Sequence, residues 1–164
     1  MIKLSAVALW TGVAALMSSP VFAAREEHRF EVSVDIPTLG FYVIPSESDW
    51  IHREQVLPWN IHTRSLEGMR KNFDVKHDTS AIHARLESEP YLSNGRDEQN
   101  IYLLVSFNGK TLSHDPQPLE VLSREQAVAG GRFALQIQPQ VPAGGYKPGR
   151  YYGNVNLVFS AAAP

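Results

Sequence analysis

Ile101-Tyr102-Leu103-Leu104-Val105-Ser106-Phe107-Asn108-Gly109-Lys110-Thr111-Leu112 alternates before it turns. Ile101, Leu103, Val105 and Phe107 share one side of an extended chain, and Tyr102, Leu104 and Ser106 share the other. That period of two belongs to a half-buried β-strand. Asn108-Gly109 is the dipeptide that tolerates positive φ at both centres of a two-residue hairpin turn. Leu112 then continues the apolar face on the returning strand.

The same spacing recurs on both sides of this hairpin. Leu39, Phe41 and Val43 alternate, as do Ile82, Ala84 and Leu86, and again Phe133, Leu135 and Ile137. In the closing run, Tyr151, Gly153, Val155, Leu157 and Phe159 stand against Tyr152, Asn154 and Asn156. These runs predict antiparallel strands of about five to nine residues. Asn94-Gly95, Gly130-Gly131 and residues 142–149 mark turns. Short helical pieces are predicted only over residues 123–128 and 66–70. Strands at regular intervals with turns between them predict an all-β fold, an immunoglobulin-like antiparallel sandwich.

One alternating run stands apart. In residues 28–37, Phe30, Val32, Val34 and Ile36 face one way, Arg29, Glu31, Ser33 and Asp35 the other, and Pro37 ends the pattern. Ahead of it lie Lys3, an apolar stretch over residues 4–17, and Val21-Phe22-Ala23, the layout of a secretory signal cut after Ala23. The apolar stretch is shorter than the roughly 20 residues a membrane span needs. The chain therefore divides into a signal over residues 1–23, a strand and proline link over residues 24–37, and a sandwich domain over residues 38–164.

Without its first 23 residues the chain keeps 141 of 164, enough for one domain to bury roughly two-thirds of its unfolded surface. The 15 Lys and Arg, less Lys3, leave 14 against 17 Asp and Glu, a net charge of −3. That balance gives no attraction to nucleic acid. There is no cysteine, so stability outside the cell rests on packing and strand pairing.

The opening strand with Asp35 and Pro37, the run over residues 100–112, and the closing run over residues 149–159 resemble fimbrial subunits of the coli surface antigen type, the alpha or class five chaperone-usher pilins. Val56-Leu57-Pro58-Trp59, Phe73-Asp74-Val75 and the run over residues 84–92 fall in the matching order, so the resemblance covers nearly all of the mature chain. Residues 46–55, the three tryptophans and the six histidines depart from it.

The resemblance implies a structural pilus subunit of the fibre shaft: a sandwich lacking one strand, completed by donor-strand exchange. Its partners would be identical pilin subunits, a periplasmic chaperone, an outer-membrane usher and a tip adhesin. Its place would be a surface fimbrium that supports adhesion. Phe30, Val32, Val34 and Ile36 would be the donated face and Pro37 the link. The closing strand would border the acceptor groove, with Val155, Leu157 and Phe159 as its apolar surface. Four such side chains contribute about 6–12 kcal/mol of gross burial, opposed by the entropy of ordering the segment.

Other readings compete. From pattern alone, residues 28–36 are more often an ordinary first strand of their own sheet; their position after the signal and the resemblance favour donation. Trp50, Trp59, Tyr91, Tyr146, Tyr151 and Tyr152 fit either packing or a surface for a host glycan, which keeps a secreted glycan-binding module or minor adhesive subunit as the alternative. An enzyme is not expected: Ser113, His114 and Asp115 are sequence neighbours without a nucleophile elbow, and Glu26, Glu27, Glu87 and Glu89 read as solvated charge. No cofactor is expected, since Gly144, Gly145 and Gly149 precede a strand and not a helix. No metal is expected either, because His52, His62, His77, His83 and His114 lack a close ligand pair.

Overall fold

A computed structural model describes residues 40–161. The signal over residues 1–23, the strand bearing Phe30, Val32, Val34 and Ile36, and the Pro37 link lie outside the described residues.

The alternation of residues 101–107 is realised as a strand, β7 (Ile101–Phe107), whose Ile101, Leu103, Val105 and Phe107 are buried while Tyr102 and Leu104 are exposed. Asn108 and Gly109 both take positive φ, 50° and 75°, and return the chain into β8 (Lys110–Thr111). The Asn108 side chain donates to the Val121 carbonyl at 2.9 Å. This bond ties the hairpin to the opposite sheet.

Two sheets form around that core. The larger has the order β1 (Phe41–Pro45), β4 (Met69–His77), β10 (Gly131–Pro139), β7 and β6 (Tyr91–Leu92), with β8 appended to β7. The smaller has β5 (Ile82–Leu86) between β11 (Leu157–Ala161) and β9 (Leu119–Leu122). Every pairing among the described strands is antiparallel. Between the sheets, Phe159 of β11 meets Phe107 at 5.0 Å and Phe73 at 6.4 Å.

The short helix expected near residues 123–128 forms as α1 (Arg124–Ala129). Ser123 and Gln126 make a reciprocal capping box, which satisfies two of the backbone donors that a helix start leaves open. The helix expected over residues 66–70 does not form. There the chain ends a small hairpin, β2 (Trp59–Asn60) with β3 (Ser65–Leu66), and enters β4. A Cβ on Gly68 would come within 2.5 Å of the Ile137 carbonyl oxygen, so the backbone lies directly against β10. Met69 is then in register with Ile137, and pairing overrides the local helical bias.

The closing run is also shorter as a strand than its alternation suggests. Regular pairing starts at Leu157; upstream, Tyr152 makes an isolated bridge to Ser93, just after β6 of the larger sheet, and Glu87, just after β5 of the smaller one, donates to the Asn156 carbonyl. Residues 151–156 therefore cross from one sheet to the other. Gly153 permits the crossing, since a Cβ there would fall on the Tyr91 carbonyl oxygen.

Candidate acceptor groove

Among the described residues the smaller sheet has three strands against six in the larger one, and β11 pairs on one side only, with β5. Beside β11 lies a groove of about 1250 Å³. Its floor comes from alternate residues of three neighbouring strands: Phe73 of β4, Leu135 and Ile137 of β10, and Leu103 of β7. These four belong to the buried core. The walls are half-buried: Val155 and Leu157 on one side, Trp50 and Leu57 on the other.

Trp50 holds its wall in place through two contacts. Its ring stands edge-on to Phe73 at 5.7 Å between centroids, and the Lys71 ammonium lies over it at 5.4 Å. Lys71 occupies the inward-facing row of β4, between Met69 and Phe73. The cation is accommodated there by the indole face. The 50–55 stretch of the wall is braced from within, the Gln55 amide donating to the carbonyls of Trp50 and Arg53 at 3.0 and 3.1 Å.

Of the residues expected on the groove, Val155 and Leu157 line it. Phe159 is not among the groove's lining: its partly buried ring packs on Phe107 at 5.0 Å and Phe73 at 6.4 Å, against the core cluster. Phe30, Val32, Val34, Ile36 and Pro37 lie outside the described residues. Trp50, Leu57 and Met69 were not assigned to the groove by sequence reasoning. Their signal was weak, because Trp50 lies in the one segment that departs from the family pattern.

The six aromatics considered for a glycan divide between two places. Trp50, Trp59, Tyr146, Tyr151 and Tyr152 border the groove, whereas Tyr91 pairs with Tyr102 at 6.1 Å on the outward face of β6 and β7. Ser113, His114 and Asp115 lie in an exposed loop, where the Ser113 carbonyl accepts the Leu86 amide.

The shifted acids sit away from the groove. Arg132 donates to both Asp74 oxygens at 2.8 and 3.1 Å, and Ser46 adds a third bond at 2.9 Å. Together, the Arg132 bonds first, they hold the Asp74 carboxyl below its ordinary range. Glu125 is also lowered, by its own backbone amide and by Ser123 at the start of α1. Among the described residues the groove offers apolar surface beside an edge of β11 that has no strand partner, an arrangement suited to burial and main-chain pairing.

A sequence profile described as CS1 type fimbrial major subunit matches residues 26–160. The chain belongs to that family. This fimbrial subunit also shares its fold with a solved structure described as the CooA pilin subunit from enterotoxigenic Escherichia coli. The TM-score is 0.59 at 20% identity, over 75% of this chain and 88% of the other. Comparison with curated protein sequences gives no match. As a pilin of this family, the subunit is a structural component of a surface fimbrium and polymerises with other pilin subunits.

Proposed function

We propose that residues 28–36 of one copy fill the groove of the next, with Phe30, Val32, Val34 and Ile36 laid over Phe73, Leu135, Ile137 and Leu103. The single observation that supports this reading is that, among the described residues, β11 pairs on one side only and stands beside a floor of core side chains. An added strand extends the smaller sheet by main-chain bonds worth about 0.5–1.5 kcal/mol each and covers apolar surface at the same time. It runs antiparallel to β11, as all described pairs in this fold do. Pro37 has no amide hydrogen to offer, so it ends the ladder and stiffens the link.

Residues 1–23 act as the secretory signal in this reading. An open edge beside apolar surface invites aggregation, so a periplasmic chaperone occupies the groove until an outer-membrane usher exchanges it for the next subunit. A tip adhesin heads the fibre, and Val155 and Leu157 form the groove's contribution from the closing segment.

Fibres kept below boiling should run in denaturing gels as a ladder of multimers, and deletion of residues 25–36 should abolish it. Val34→Asp should stop polymer growth while leaving chaperone capture intact. Equal loss of growth and capture would mark residues 28–36 as an ordinary strand of their own sheet.

A further inference from the structure

We propose that the exposed apolar collar at one end of the groove is the seat for the body of the strand-donating copy, an inference that rests on the donor-strand reading above. Val56, Trp59 and Ile61 are 81%, 51% and 74% exposed. Trp59 stands edge-on to Tyr146 at 5.4 Å, and Val56, Trp59 and Tyr146 border the groove itself. Ile61 follows β2 directly, at the tip of the β2–β3 hairpin. Clustered aliphatic and aromatic surface of this kind marks a contact site.

Chain length selects the occupant. The donated apolar face ends at Ile36, and Gly40 is already fixed to the donating body, its carbonyl accepting the Asp78 amide at 3.0 Å. Four residue steps span at most about 14 Å. Wherever the donated strand leaves the groove, the body it belongs to must therefore lie close by.

Pairing direction selects the end. The β2–β3 hairpin runs through Gly68 into β4, and Gly68 packs on the Ile137 carbonyl. Tyr152 bridges Ser93, which follows β6 next to Ile101 of β7. The collar and residues 152–155 thus share one end of the groove, and the core contacts of Phe107 with Phe73 and Phe159 lie beyond the other. A strand antiparallel to β11 enters beside Ala161 and leaves beside Val155, which is the collar end.

What the donating body presents there is the turn next to Gly40. In that turn the His77 Nδ1 accepts the amides of Thr79 and Ser80 at 3.1 and 2.8 Å, and Asp78 projects its carboxylate beside Lys76. Lys147, on the groove border, supplies the opposite charge. Collar and turn are different surfaces of one chain, so the contact is head-to-tail and repeats without closing.

The absence of cysteine makes a clean test. Fibres of the full chain carrying Ile61→Cys and Thr79→Cys are treated with a short thiol-reactive linker and boiled; neighbours should be joined, giving a covalent ladder. Thr79→Cys with Glu120→Cys, which puts the second thiol on β9 at the far edge of the smaller sheet, should give boiled monomer. No covalent ladder from the first pair, or equal ladders from both, overturns the collar. Loss of the unboiled ladder on deleting residues 25–36 reads strand donation separately. If that loss is seen and the linker fails, strand donation stands and the collar falls; if the ladder survives the deletion, both fall.

Discussion

Leu157 and Phe159 are two residues apart on the same strand, yet they do different work. Leu157 borders the groove, and Phe159 closes the core against Phe73 and Phe107. Phe159→Ala should therefore destabilise the subunit itself, by about 3 kcal/mol, and lower its melting temperature whether or not the groove is filled. Leu157→Ala should act mainly on the joint: thermal dissociation of fibres into subunits should shift more than the melting of the subunit with its groove filled. Equal shifts for the two variants in both measurements would show that the wall and the core are not separate.

At the scale of elements, the strands over residues 101–107, 82–86 and 133–137 and the Asn108-Gly109 turn were legible, because their alternation coincides with one buried face. Strand β4 was harder to read, since Lys71 interrupts its inward row between Met69 and Phe73; only the structure brings the Trp50 ring that receives the ammonium. The closing run was legible as apolar, but its crossing between sheets depends on Tyr152 meeting Ser93, a contact between residues far apart in sequence. Of the residues that line the groove, Val155 and Leu157 stand out in the sequence as part of an apolar alternating run, and Trp50 does not. The larger sheet is also joined by charge. Arg132 and Asp74 face each other directly across β10 and β4, and Ser46 ties the chain after β1 to the same carboxylate. Asp74 is depressed in the folded state, so its contribution is present above the ordinary carboxylate range and is lost as pH falls through the folded-state value. Because the pair is exposed, the effect is small. Asp74→Asn should lose less melting temperature on acidification than the parent chain; identical acid sensitivity would remove the pair from the account.

For the whole molecule, the proposed strand donation would turn the mismatch between a broad sheet and a narrow one into an assembly device: among the described residues an edge of β11 and core side chains lie open at the same place. In the proposed joint, a strand antiparallel to β11 (Leu157–Ala161) would begin beside Ala161. The most direct measurement compares two single copies: residues 38–164 alone, and the same residues with residues 25–37 joined behind Pro164 through a short glycine-rich loop. The account predicts that the first aggregates or melts at low temperature, and that the second is a soluble monomer with a cooperative transition at much higher temperature. A compact, soluble and heat-resistant copy of residues 38–164 alone would contradict it.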